Sequence, residues 1–385
     1  MSLFDPVMLG PLRLKNRIVL APLVRARCDE RRAPTDLVPL YYAQRASAGL
    51  MITEGTHVSP MSATRPTAAG HHNDAQHAAW KRVVESAHAA GGVIFQQLYH
   101  VGRKALSQTL PDNVAPIAPS AIAAAGGIPT PNGLIPFPTP RALALDEIPD
   151  VIGEFGRAVQ YAADAGFDGV ELVASTGFLI DQFLRDGTNH RTDAYGGSLE
   201  KRARFLLEVV DDAISRIGAH RIGVRISPHF RADGIDDSDT VGTYRYVAQQ
   251  LSRRGIAYLH VQEGLGRDDQ PRLPLHLRQL DRSIMIGPAS DEPFLAPMFR
   301  EHFGGLLILN GNYELDTAKQ VIDSGRADAV SFGRLYIANP DLVERFERGA
   351  PLNEIDTSTY YTGGAKGYLD YPTLAQSSSH ATIHA

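Results

Sequence analysis

Polar side chains set into otherwise apolar runs mark where this chain could do chemistry. Arg225 interrupts Ile222 to Pro228 and Gln97 interrupts Val93 to His100, while Asn310-Gly311-Asn312 and Gly333-Arg334 end the runs Leu306 to Gly311 and Ala329 to Arg334. An arginine inside an apolar run requires an anionic or electron-rich partner. That partner is either an internal carboxylate or a bound ligand. Glycines let backbone N–H groups approach an anion and a guanidinium fork matches its oxygens, so the last two runs predict a phosphate site. Other nucleotide-binding devices fail. Gly264-Leu265-Gly266 has Asp269 where a dinucleotide fingerprint needs its third glycine, and no Gly-Lys pair supplies a phosphate-binding loop. His71, His72 and His77 match no zinc-binding helix; a solvated polar loop leading into a helix is expected, with no metal.

Such residues must be brought together by elements far apart in the chain. Eight short apolar runs recur: Arg17 to Leu23, Leu50 to Gly55, Val93 to His100, Gly169 to Ser175, Ile222 to Pro228, Ile256 to Gly264, Leu306 to Gly311 and Ala329 to Arg334. Their continuous Val, Ile and Leu content suits parallel strands buried on both faces. Helical spacing lies between them, at 36–48, 75–90, 147–165, 199–217, 240–254 and 317–324. Gly91 and Gly166 stand where helices should end, and Ser198 and Asp316 where they should begin. The alternation predicts an α/β fold, a (β/α)8 TIM barrel whose C-terminal mouth gathers the polar residues. Arg103 to Asp146 is too long for an ordinary loop and reads as a cap over that mouth.

The chain has 385 residues, 38 basic and 43 acidic, for a net charge of −5, which offers no excess of positive charge to a nucleic acid. Hydrophobic residues at 43% are enough for a large core, and no apolar run is long enough to span a membrane. The one cysteine, Cys28, and a start at Met1 to Pro6 without signal-peptide character point to the cytoplasm. A single domain over 1–385 is expected, with 103–146 as the cap and 375–385 as a flexible tail.

Several longer motifs carry a resemblance. Ala21-Pro22-Leu23-Val24-Arg25, Gln97-Leu98-Tyr99-His100-Val101-Gly102-Arg103, Leu179-Ile180-Asp181-Gln182-Phe183-Leu184, Arg191-Thr192-Asp193-Ala194-Tyr195-Gly196-Gly197-Ser198, Phe332-Gly333-Arg334 and Gly367-Tyr368-Leu369-Asp370-Tyr371-Pro372 are similar to motifs of the Old Yellow Enzyme family of FMN-dependent ene-reductases. The resemblance implies FMN held noncovalently in a (β/α)8 barrel, NADH or NADPH as reductant, and a small-molecule acceptor such as an activated alkene. It places Pro22, Leu23 and Val24 beside the flavin, Gly55 close to its ring, Gln97 and Arg225 on the pyrimidine edge, and Gly311, Asn312, Gly333 and Arg334 on the phosphate.

The substrate side departs from the family's pattern. Val173 and Thr176 occupy the positions of its oxygen-binding His and His or Asn, Phe178 that of its proton-donating tyrosine, Val24 that of a threonine, and Tyr99 that of a tryptophan. The favoured reading is an FMN oxidoreductase with an atypical substrate anchor. Thr176, Tyr99 and Tyr361 are the catalytic candidates, and Val173, Thr176, Phe178, His229 and Arg65 the substrate contacts. The alternatives are a flavin desaturase or oxidase that passes electrons to oxygen, and a catalytically silent FMN-binding protein.

Overall fold

The computed structural model describes residues 1–63, 67–130, 133–263 and 294–377. An antiparallel hairpin of β1 (Val7–Leu9) and β2 (Leu12–Leu14) precedes β3 (Ile18–Leu20), α1 (Leu37–Gln44), β4 (Leu50–Ile52), β5 (Thr56–His57), α2 (Asp74–Ala89) and β6 (Ile94–Tyr99). The excursion contains β7 (Ile117–Ala118), β8 (Gly127–Thr130), β9 (Gly133–Pro136) and β10 (Arg141–Ala142). The chain then alternates through α3 (Ile148–Asp164), β11 (Gly169–Ala174), α4 (Leu179–Leu184), α5 (Leu199–Ile217), β12 (Ile222–Ile226), α6 (Thr240–Arg253) and β13 (Tyr258–Gln262). It continues with α7 (Ala296–His302), β14 (Leu306–Asn310), α8 (Leu315–Asp323), β15 (Ala329–Phe332), α9 (Arg334–Ala338) and α10 (Leu342–Arg348).

Strands β3, β4, β6, β11, β12, β13, β14 and β15 pair in parallel, and the β11–β6 ladder closes the ring. All eight apolar runs of the sequence are therefore barrel strands. Parallel pairing hides both faces of each strand, between the barrel interior and the helices, which is why the runs show no alternation. β5 prolongs the second strand and sets His57 beside Tyr99. Among the described residues no helix is long and apolar enough to cross a membrane.

Helix ends follow local chemistry. Gly91 and Gly166 each lie two residues beyond their helices, at φ of +75° and +94°, where a side chain would be strained. Ser198 is the N-cap of α5. Asp316 is not a cap: Glu314 takes that place, in a reciprocal capping box with Thr317, and Asp316 lies in the first turn of α8. The histidine loop is not simply solvated either. His71 is fully buried, its Nδ1 is 2.7 Å from Gln96 Oε1, and its ring stacks against Tyr161. Packing between the barrel wall and α3 supplies the aromatic surface that polarity alone did not indicate.

The excursion packs on the mouth. Arg103 donates to the carbonyls of Ile122, in the excursion, and of Asp233 and Gly234, in the loop after β12. Arg191, after α4, donates to the carbonyls of Pro119 and Leu143. The tail beyond residue 377 lies outside the described residues.

Candidate active site

A polar layer crosses the barrel interior. Gln97 on β6 donates from Nε2 to Glu171 Oε1 on β11 at 2.6 Å. Glu171 Oε2 lies 2.7 Å from His260 Nδ1 on β13, and His260 Nε2 lies 2.8 Å from Ser331 Oγ on β15. Arg225 on β12 sets Nη1 2.9 Å from His260 Nε2 and donates from Nη2 to Asn310 Oδ1 at 2.9 Å. Burial and the Arg225 charge push His260 down to about 4, so the ring is neutral near pH 7. Its partners then place the proton on Nδ1, facing Glu171. Burial by itself would raise Glu171, but attraction to His260 and Arg225 and the bonds from His260 and Gln97 hold it below the usual carboxylate range. Arg225 thus has its internal carboxylate, and still stands at the C-terminal end of its strand.

Ser331, His260 and Glu171 have the contacts of a nucleophilic triad. None is exposed by more than 2%, so the line holds Arg225 in place instead of presenting a nucleophile.

Above this layer the mouth is shaped by missing side chains. A Cβ on Gly55 would come 2.7 Å from Tyr99 Cε1 and 3.2 Å from Gln97 Oε1. A Cβ on Gly333 would come 3.1 Å from Leu23 Cδ2. Pro22, Leu23 and Val24, after β3, are half-buried, as are Gly311, Asn312, Gly333 and Arg334. Asn312 takes a left-handed φ of +52°, and its Oδ1 accepts a bond from Arg334. The donor set fits FMN: an amide and a guanidinium for a pyrimidine edge, an arginine and a tight loop for a phosphate, and glycines where the wall must stay thin.

The wall beside Gly55 is stiffened by Glu54. Its Oε2 accepts the Arg25 N–H at 3.2 Å, while Oε1 has no hydrogen bond among the described residues. Burial raises its carboxyl to about 7 despite backbone bonds and the nearby arginines. Arg25 donates to the carbonyls of Tyr360 and Gly367, and its guanidinium lies 5.2 Å from the Tyr368 ring. The C-terminal segment thereby covers the loop after β3.

The opposite side is largely apolar. Tyr99, Val173, Leu110 and Val101 pack together with Phe178 and Met61 at their edge. Tyr99 stacks on Phe178, with ring centres 5.1 Å apart. Its hydroxyl lies 3.2 Å from His57 Nε2, and burial followed by the Arg32 charge holds His57 well below its ordinary value, so the ring is neutral and its partner is the phenol. Thr176 has a left-handed φ of +54°, a conformation that β-branched residues resist, with its N–H donating to Ser227 Oγ at 2.7 Å. Tyr361 is 43% exposed on the C-terminal segment. His229 is buried, not solvent-facing, with Nε2 3.0 Å from Glu263, a carboxylate that also accepts the N–H groups of Leu295 and Ala296. Arg65 lies outside the described residues.

The barrel thus brings Tyr99, Val173, Thr176 and Phe178 to one side and Gln97, Arg225 and the loops after β14 and β15 to the other. Glu171, His260, Glu54 and Lys104 were not identified from sequence. The first two are polar positions inside continuous apolar runs, the same signal that exposed Gln97 and Arg225.

Residues 2–353 match the family described as NADH:flavin oxidoreductase / NADH oxidase. The chain is 40% identical to 12-oxophytodienoate reductase 1 of Oryza sativa subsp. japonica, over 97% of this chain and 93% of that protein. Its fold matches the Old Yellow Enzyme homologue from Zymomonas mobilis with a TM-score of 0.88 and 42% identity, over 97% of this chain and all of the other. Morphinone reductase, solved in complex with tetrahydroNAD, matches with a TM-score of 0.86 and 44% identity, over 97% of this chain and 98% of that one. With an eight-stranded barrel and a mouth that fits FMN, this chain belongs to the Old Yellow Enzyme family, the NADH:flavin oxidoreductases, and is an FMN-dependent oxidoreductase.

Proposed function

We propose that the polar side of the mouth holds FMN and that the apolar side receives a small conjugated carbonyl compound, whose alkene is reduced at the expense of NADH or NADPH. Bound there, FMN carries hydride between the nicotinamide and the acceptor. Gln97 and Arg225 orient the pyrimidine edge, and the fixed cation of Arg225 favours negative charge at that edge. Pro22, Leu23, Val24 and Gly55 line the ring, and Gly311, Asn312, Gly333 and Arg334 take the phosphate. Tyr99, Val173 and Phe178 wall the acceptor and exclude water, while Thr176 and Tyr361 offer hydroxyls at its rim.

The observation that carries this reading is the buried Gln97–Glu171–His260–Arg225 layer ending beneath a mouth thinned by Gly55 and Gly333. Reduction is favoured over desaturation because the relatives are named as reductases, and one of them was solved with a nicotinamide analogue. We place the enzyme in the cytoplasm as one domain spanning 1–385, capped by 103–146; its lone, buried Cys28 supports a reducing compartment.

Anaerobic addition of NADH or NADPH to the yellow protein should bleach the flavin band, and 2-cyclohexenone should then restore it. Absence of bleaching with either nucleotide at millimolar concentration would overturn the reading.

A further inference from the structure

The acceptor wall is poor in hydrogen-bond donors, yet a full charge stands within it. Lys104 lies in the single turn Gly102–Lys104 that follows β6. Its ammonium is 5.2 Å from the centre of the Phe178 ring and 5.4 Å from that of Phe230. Asp233 Oδ2 holds it at 2.6 Å, and it donates to the Thr176 carbonyl at 3.0 Å. The lysine side chain is only 11% exposed and that of Asp233 5%. Loops after three successive barrel strands, β6, β11 and β12, therefore converge on this one nitrogen.

Simple tethering is a weak account of this arrangement. Arg103, the preceding residue, already ties the loops after β6 and β12 to the cap through carbonyl acceptors. A second buried cation with its own carboxylate carries a desolvation cost that a structural strap avoids. Its neighbours are also telling. Thr176 and Phe178 are two of the five positions read as departing from the family's pattern, and Val173, another of them, packs in the same apolar cluster as Phe178.

Resting on the reading of this wall as the acceptor site, we propose that Lys104 binds and polarises the acceptor's carbonyl oxygen, with Asp233 and the Thr176 carbonyl as its positioning groups. Asp233 neutralises the ammonium in the resting site, so the pair has no net charge and a ground-state anion gains little from it. A conjugated ketone or aldehyde is neutral on arrival. When the hydride supplied by the nicotinamide-driven reaction bonds to the β-carbon, the alkene π pair shifts and negative charge grows on the oxygen beside Lys104. The α-carbon then takes a proton from water, and the alkene has gained one hydride and one proton. The ammonium meets charge that exists only along the reaction, the condition for raising turnover and not merely affinity. The substrate class is thus a neutral α,β-unsaturated carbonyl compound, not a carboxylate.

The test uses the full FMN-loaded chain with 2-cyclohexenone, 1-cyclohexenecarboxylate and dioxygen as acceptors. Lys104→Met should lower kcat for the enone about 100-fold, the loss seen when one oxyanion donor is removed. Bound FMN and the rate of reoxidation by dioxygen, which needs no carbonyl anchor, should stay near the parent values. Lys104→Arg should recover part of the enone turnover. Asp233→Asn leaves the lysine in place and its charge uncompensated, so KM for the carboxylate should fall relative to the enone; this readout stands even where Lys104→Met does not fold. Enone turnover within threefold of the parent in loaded Lys104→Met, equal losses with enone and dioxygen, or an unchanged acceptor preference in Asp233→Asn would each overturn the proposal. A parent protein that is bleached by nicotinamide but turns over no enone overturns the carbonyl assignment alone. One that is not bleached overturns the FMN reading with it.

Discussion

The two sides of one barrel mouth are built on opposite plans. On the side proposed for the cofactor, six strands each contribute a polar group, from Gln97 to Ser331, and the partners interlock at 2.6 to 3.0 Å. On the side proposed for the acceptor, Tyr99, Val173 and Phe178 pack as a small apolar cluster, with the Lys104–Asp233 ion pair beside it. A cofactor is the same molecule at every turnover, so its site can be fixed by a network in which each member constrains the next. An acceptor site needs fewer fixed groups, and in the role proposed for Lys104 a single cation on a loop would serve there.

The sharpest way to break this contrast is to open the network. Arg225→Met removes the cation that Glu171 faces and leaves a buried carboxylate, so it should weaken FMN retention by about 100-fold or more and cost about 3 kcal/mol of stability. Flavin absorbance after gel filtration and urea unfolding measure both. Retention of FMN by this variant would place the flavin elsewhere.

Next in size is the pH response of Glu54, which braces the cofactor wall from outside the network. Below its ordinary value of 4.5 the carboxyl is protonated in both folded and unfolded chains. As pH rises towards 7, the unfolded chain ionises while the folded group holds its proton, so stability falls by about 3 kcal/mol in total across that window. Glu54→Gln should abolish this fall: it should match the parent near pH 4 and exceed it at pH 8, read from urea midpoints. A parallel course for the two proteins would show that Glu54 ionises normally.

On the side proposed for the acceptor, Val173→His, Thr176→Asn and Phe178→Tyr together introduce the donors that the resemblance implies for these positions. The gain in 2-cyclohexenone turnover should be about tenfold, below the 10² or more that an acid catalyst gives by itself, because Lys104 already supplies charge. No change in turnover would show that these positions do not limit the reaction. The smallest effect expected is that of Thr176→Asn alone. Asparagine tolerates the φ of +54° that strains threonine, so the variant should be more stable by about 1 kcal/mol, as a rise in Tm.

The same contrast decides how much could be read from residues alone. The strands were legible because burial on both faces leaves continuous apolar runs, and Gln97 and Arg225 stood out as polar residues within those runs, as Gly333-Arg334 did at the end of one. Glu171 and His260 obey the same rule of a polar residue within an apolar run, but their significance lies in distances across the barrel, which no local window contains. Lys104 was harder. It follows a familiar motif by one residue, and only the crossing of three loops shows that its ammonium reaches Phe178. His229, read as a substrate contact, and Asp316, read as a helix cap, illustrate a different limit: a partner far along the chain, Glu263, or a better-placed neighbour, Glu314, is not visible in a local window.

The seal over the loop after β3 has a consequence in time. Arg25 finds its carbonyl partners 335 and 342 residues further along the chain. At ribosomal rates of roughly 5 to 20 residues per second, the arginine waits tens of seconds before those partners exist. The strands that carry Gln97 and Arg225 are made well before then, but the wall holding Pro22, Leu23 and Val24 cannot close. Closure of that wall thus becomes one of the last events in the making of this enzyme, and a chain cut short before Tyr360 would carry every residue of the polar layer without the brace over the loop after β3.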